Sequence, residues 1–193
     1  AMYNSFKDGK IENLKSVSTF ADGIAVKNPG TLTYEIISKY VDEIVTVSEE
    51  EIATAILRLI EKQKMITEGA GAVACAAEMF GKTGLTGKKT VCLTSGGNID
   101  VNILSRVISR GLVMSGRMST FTIQLPDKPG QLTKVTDIIS MCGGNILTVE
   151  HDRNSVDMPI SSCMLKLEVE TRNSDHVEEI RSALKAAGYT FKE

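Results

Sequence analysis

The sequence predicts an α/β layer of parallel strands and helices followed by a smaller α+β sandwich of order βαββαβ. Three observations carry this. Before residue 117, short apolar runs alternate with stretches of helical periodicity. Beyond Ser119 the apolar residues recur at every second position, so each strand has one packed and one wet face, or one face packed by a partner. The chain's 193 residues, 42% of them hydrophobic and 24% charged, suffice for one large domain or two small ones.

In the first half, 44–47 (IVTV) and 91–93 (VCL) are apolar on both faces, as strands covered by helices on both sides require. Ser48 follows the first of them, and Glu51 completes a capping box. Ile52, Ala55, Ile56, Leu59 and Ile60 then mark one helical face. A second helix is expected over about 70–80, stopped by Gly81, and a third after Asn98 or Asp100 with Val101, Leu104, Val107 and Ile108 on one side. Residues 115–118 (SGRM) read as a hinge.

In the second half, Phe121, Ile123 and Leu125 alternate with Thr120, Thr122 and Gln124, and Cys163, Leu165, Leu167 and Val169 alternate with Met164, Lys166, Glu168 and Glu170. Between them lie a helix (Leu132, Val135, Ile138, Ile139, Cys142) and a strand (146–150). A further helix (Val177, Ile180, Leu184, Ala187) and a short strand (189–191) complete the order. This is the ferredoxin-like arrangement, in about 75 residues.

Composition excludes several functions. Twenty-two basic against 24 acidic residues give a net charge of −2, which excludes a nucleic-acid binder driven by basic excess. No apolar run approaches the roughly 20 residues of a membrane helix, and the first five residues show no signal-peptide pattern. Cys75, Cys92, Cys142 and Cys163 form no CxxC pair, and His151 and His176 are far apart. Buried free thiols in a reducing cytoplasm and no metal site are therefore expected.

The turn at 125–132 reads LPDKPGQL: Pro129 fixes φ, and Gly130 allows tight backbone approach where a helix begins. Its unpaired N–H groups suit a carboxylate. Residues 143–146 (GGNI) open the next strand, and the Asn145 amide carries both donor and acceptor. D-K-P-G-Q-L, a helix and G-G-N-I on this frame resemble the ACT domain, an amino-acid-binding regulatory module, over residues 119–193. The resemblance implies ligands held between the Pro-Gly turn of one copy and the Asn-bearing strand of another. The positions are Asp127, Pro129, Gly130, Gln131, Leu132, Asn145 and Ile146. A plain turn and a plain strand start are the alternative reading.

Four stretches of the first half are unusual for scaffolding: 19–23 (TFADG), 27–30 (KNPG), 67–72 (TEGAGA) and 94–98 (TSGGN). In the last, an apolar strand delivers a hydroxyl at its carboxyl end, where α/β sheets bind ligands, and the glycines let a planar ring lie against backbone. Together these stretches resemble the C-terminal part of the catalytic domain of threonine dehydratase (threonine ammonia-lyase), over essentially residues 1–117. The implied fold is a partial fold type II domain, tryptophan synthase β-like, that uses pyridoxal 5′-phosphate. By the resemblance, Ser95 hydrogen-bonds the pyridine nitrogen and the Gly23 backbone lies near the 3′-oxygen. Glu68 lies near the ring, Gly96 and Asn98 of the same turn also bind the cofactor, and Asp22 is on the substrate side. Other readings stay open: Ser95 as a helix cap, Glu68 as a first-turn acid, Asp22 as a turn former. Arg106, Arg110 and Arg117 fit either a polar interface between the halves or a solvated helix face.

The departures from the family are specific. Residues 5–7 (SFK) imitate the start of the S-F-K-x-R-G-A motif of the Schiff-base lysine, but Asp8, Gly9 and Lys10 follow, so Lys7 reads as a surface lysine. The glycine-rich phosphate loop is also missing. The resemblance thus implies residues 1–117 as the C-terminal part of a catalytic domain and 118–193 as an ACT domain. The intact parent would be a homodimer or tetramer deaminating L-threonine, with ACT–ACT pairing and control by an amino acid such as isoleucine or valine. The chain alone is expected to be inactive. A free-standing amino-acid-binding module and a serine dehydratase or serine racemase-like enzyme are the alternatives.

Overall fold

A computed structural model describes residues 1–153 and 158–192. The chain divides into two compact units, Ala1–Gly111 and Leu112–Glu193.

The first unit is helical: α1 (Met2–Asp8), α2 (Thr31–Tyr40), α3 (Glu49–Arg58), α4 (Gly69–Met79) and α5 (Val101–Met114), whose last turn passes into the second unit. The Ser48–Glu51 capping box forms as expected. The Ser48 hydroxyl accepts from the Glu51 N–H at 3.2 Å, and the Glu51 carboxylate accepts from the Ser48 N–H at 2.8 Å. Helix α3 continues through a π-helical turn at Leu59–Gln63, which stops at Lys64 with φ of 56°. Its buried face, Ile52, Ala53, Ala55 and Ile56, packs on the small residues Ala72 and Ala76 of α4. The two helices approach closely because one side of the seam is nearly all methyl groups.

The two segments expected as parallel strands, 44–47 and 91–93, make no ladder, and the described residues of the first unit contain no strand. A strand exists only through a paired edge, and neither segment meets one here. Val91 and Leu93 accordingly stand 95% and 76% exposed.

The second unit has the expected order: β1 (Met118–Pro126), α6 (Gln131–Met141), β2 (Asn145–Asp152), β3 (Ser162–Glu170), α7 (Ser174–Ala186) and β4 (Thr190–Phe191). The sheet is antiparallel in the order β2-β3-β1-β4. Phe121, Ile123 and Leu125 of β1 and Cys163, Leu165, Leu167 and Val169 of β3 form the buried face, with Val135, Ile139, Ile180 and Leu184 from the helices. Each such side chain stabilises the fold by roughly 1.5–3 kcal/mol relative to exposure. Buried His176 joins the two helices: its Nδ1 accepts from the Arg172 N–H at 3.1 Å, so Nε2, 2.8 Å from the Cys142 carbonyl, carries the proton.

Residues 115–118, expected as a hinge, are bonded into the second unit, Met118 as the first residue of β1. Thr171 Oγ1 donates to the Gly116 carbonyl at 2.6 Å, and the Thr171 N–H donates to the Arg117 carbonyl at 2.9 Å. Of the four thiols, Cys163 is buried and the other three are half-buried. No described helix is long and apolar enough to cross a membrane.

The Glu51 carboxyl is held below the usual glutamate range, first by its bond to Lys82 and then by the Ser48 N–H. A depressed folded-state value means its stabilisation is complete above the unfolded value, about pH 4.3, and is lost as pH falls through the lower folded one. Ser48→Ala should lower stability by about 1 kcal/mol. Glu51→Gln should lower stability at neutral pH and flatten the acid limb of a pH-dependent thermal denaturation series followed by circular dichroism.

Candidate functional site

Three of the four glycine-bearing stretches converge in the first unit. Glu49, in the first turn of α3, accepts from the Thr19 hydroxyl and from the Phe20 N–H at 3.2 Å; the Thr19 oxygen accepts from the Ala21 N–H at 3.0 Å. This fixes the turn of 3-10 helix at Asp22–Ile24. A Cβ on Gly69 would stand 2.8 Å from the Phe20 ring, and one on Gly23 would stand 3.0 Å from Ala70 Cβ and 3.2 Å from Glu68 Oε1. The absence of side chains brings 21–23 against the start of α4.

The 94–98 turn meets the same place from the other side. Fully buried Thr67 donates through Oγ1 to the Gly96 carbonyl at 3.0 Å. The Glu68 N–H donates to that carbonyl at 3.4 Å, and Glu68 Oε2 accepts from the Asn98 N–H at 3.2 Å. The contact tolerates no side chain at Gly71, whose Cβ would fall 1.8 Å from the Ser95 carbonyl oxygen. Gly96 has φ of +77°, and the Glu68 carboxylate fills the space where its Cβ would stand.

Gly23, Glu68, Ser95, Gly96 and Asn98 are therefore together. Asp100 caps α5, its Oδ1 accepting from the Asn102 N–H at 2.8 Å, which leaves exposed Ser95 five residues ahead of that cap. Glu68 stands at the N-cap position of α4 without a side-chain capping bond, because its carboxylate is turned to the 96–98 turn. Asp22 is exposed and accepts from the Gly23 N–H at 2.9 Å, the geometry of a turn former. The fourth stretch makes none of these contacts with 67–72 or 94–98, but its Pro29 and Gly30 line a cavity of about 280 Å³ with Gly23; Gly30 is the N-cap residue of α2, and Lys7 is exposed in the last turn of α1. Arg110 pairs with Glu50 beside a cavity of about 490 Å³ that Arg106 also lines.

This constellation fits one edge of a planar heteroaromatic cofactor. It offers an exposed hydroxyl, backbone free of side chains, and open space at Gly97, where an added Cβ would meet nothing closer than the Ile66 carbonyl at 3.6 Å.

In the second unit Asp127, Pro129, Gly130, Gln131 and Leu132 line one cavity of about 540 Å³ at the end of the sheet. Gly130 has φ of +82° and is the N-cap residue of α6. Asn145 and Ile146 do not join them. Asn145 pairs with Glu170 at the opposite end of β2 and donates from Nδ2 to its carboxylate at 3.0 Å, while Ile146 packs on the core. Within one copy, the two halves of the expected amino-acid site are a strand's length apart. The cavity also gathers His151, Arg153 and Cys163, none of which was singled out for a site in the sequence.

Residues 1–97 match the family described as pyridoxal-phosphate dependent enzyme. The chain is 47% identical over 192 residues to an L-threonine ammonia-lyase of Thermotoga maritima, covering 100% of this chain and 48% of that protein. It is 46% identical over 186 residues to one of Geobacter sulfurreducens, covering 96% and 46%. The chain thus spans about half the length of these curated relatives. Among solved structures, the processed form of threonine deaminase isoform 2 from Solanum lycopersicum superposes with a TM-score of 0.52 at 32% identity, over 56% of this chain and 32% of that one.

The glycines at the junction should respond unequally to a methyl group. Gly71→Ala should cost about 3 kcal/mol, the upper end of overpacking, whereas Gly97→Ala should change stability by less than about 0.5 kcal/mol. Urea unfolding of the two variants reads the difference.

Proposed function

Because this chain belongs to the pyridoxal-phosphate dependent enzyme family, we propose that it is part of a threonine ammonia-lyase, converting L-threonine to 2-oxobutanoate and ammonia. The observation that carries this reading is similarity to two bacterial L-threonine ammonia-lyases over 100% and 96% of the chain, hence through both units. The convergence of Gly23, Glu68, Ser95, Gly96 and Asn98 supports it independently.

The residues of this chain would form one wall of the cofactor site. When bound, pyridoxal phosphate supplies an electron sink for β-elimination. The Ser95 hydroxyl would meet the ring nitrogen, and a neutral hydroxyl leaves that nitrogen largely unprotonated, which favours elimination over transamination. The Gly23 backbone would lie beside the 3′-oxygen. Gly96 and Gly97 would let the ring lie flat on the turn. Glu68, held by the Asn98 N–H, would fix that turn's position, and Asp22 would face the substrate. No lysine of the chain stands in an S-F-K-x-R-G-A sequence, and covalent catalysis needs its nucleophile.

For the second unit we propose an ACT domain that binds an aliphatic amino acid, isoleucine or valine, between paired copies in a dimer or tetramer. Its βαββαβ order and antiparallel sheet support this. The Pro129–Gly130 turn of one copy and Asn145 of another would form each site, which suits their separation within a single copy.

Two experiments test these proposals. Incubated with pyridoxal phosphate and L-threonine, this chain alone should release no 2-oxobutanoate, whereas the intact parent should, and Ser95→Ala in that parent should lower kcat roughly tenfold or more, a loss of about 1.4 kcal/mol. Calorimetry of the chain with isoleucine and valine should show binding heat that Asn145→Ala abolishes; heat unchanged in that variant would place the ligand elsewhere.

A further inference from the structure

One set of chemistry-bearing side chains in the second unit reaches beyond the proposed amino-acid site: His151 and Cys163 have no part in that site, and Asp127 is shared with it. Asp127, His151 and Cys163 each present one donor atom, all within 4.8 Å of one another, at the cavity where β1, β2 and β3 end.

Strand geometry explains how residues so far apart in sequence meet. Side chains on one face of a sheet recur every second residue. Leu125 pairs with Cys163 on the helix-covered face, and Asp127 lies two residues past Leu125. In β3, Cys163 is two residues before Leu165, which pairs with His151 of β2. His151 owes this face to a bulge. Ile146 pairs with Val169 and Thr148 with Glu168, so Leu147 is an extra residue without its own partner. That extra residue shifts the alternation, so that Val149 and His151 rather than Thr148 and Glu150 share the face of Leu167 and Leu165. A regular β2 would direct His151 away from Cys163.

The chemistry of the three donors is that of one ion class. A thiolate, an imidazole nitrogen and a carboxylate together suit a borderline-soft divalent cation, whereas magnesium and calcium take oxygen ligands alone. Bond lengths of about 2.0–2.3 Å place tetrahedral ligands roughly 3.3–3.6 Å apart. The triad need therefore close by at most about 1.5 Å, which exposed Asp127 and His151 allow while buried Cys163 stays fixed. We propose that Asp127, His151 and Cys163 bind a divalent transition-metal ion of the zinc class, with three protein ligands and a fourth position open to the cavity.

Without metal, burial and then the Asp127 carboxylate push the Cys163 thiol up, and Arg153 pulls it down. On binding, the sulfur–metal bond forms as the thiol proton leaves to solvent. Arg153, whose Nε lies 3.3 Å from Asp127 Oδ1, competes with a bound cation for the carboxylate's charge.

The test is titration of the whole chain with Zn²⁺ against a chromophoric chelator, and with Co²⁺ followed by absorption. One ion per chain is expected, with a thiolate-to-cobalt charge-transfer band. Cys163→Ser should abolish the band and weaken zinc binding at least a hundredfold, and Asp127→Asn and His151→Gln at least tenfold. Arg153→Ala should strengthen binding severalfold, and the double variant Cys75→Ser/Cys92→Ser should change nothing. Exposed His151 can be replaced without disturbing the core, so His151→Gln decides even if Cys163→Ser fails to fold. A missing thiolate band, a band that follows Cys75 or Cys92, binding indifferent to His151→Gln, or binding weakened by Arg153→Ala would each overturn the proposal.

Discussion

The candidate cofactor wall rests on one steric constraint, the contact between the start of α4 and the Ser95 carbonyl, which leaves no room for a Cβ at Gly71. The Thr67 hydroxyl and the Glu68 N–H both donate to the Gly96 carbonyl because the two segments lie this close. Glu68 can reach the Asn98 N–H for the same reason. The glycines of 67–72 and 94–98 are therefore complementary halves of one junction, and the exposed Ser95 hydroxyl is placed by backbone contacts rather than by side-chain bonds of its own.

The two units solve burial differently. The second closes its core within itself, with apolar strand residues against α6 and α7. The first buries the α3–α4 seam but leaves Val91, Leu93, Leu32 and Ile36 exposed. An α/β layer covers such residues by sheet pairing and by helices on both faces. That pattern agrees with a chain spanning about half the length of its curated relatives.

Legibility in the sequence followed the range of the forces involved. The βαββαβ order could be read because strict alternation of Phe121, Ile123 and Leu125, and of Cys163 through Val169, has only one structural solution. The Ser48–Glu51 box could be read because capping is local. Helices α1 and α2 could not. Neither carries a side-chain cap, and α2 buries none of its residues, so its periodicity has no packed face to report. The segments 44–47 and 91–93 have strand composition, but pairing is not a property of a single segment. In the site, the glycine pattern indicated where the backbone would approach closely, yet the partner of Glu68 depended on a contact 30 residues away. His151 was hidden for a different reason: one unpaired residue, Leu147, changes which way it faces, and spacing alone carries no sign of it.

That same extra residue also fixes how β2 aligns on β3. Because the two ends of β2 obey opposite parities, no regular pairing of the strand with β3 satisfies both. A regular pairing anchored at Ile146 would turn Glu150 toward the oily interior, and one anchored at Val149 would turn Ile146 outward. The peripheral strand of the sheet, ordinarily the most permissive of mispairing, is thereby keyed to a single position.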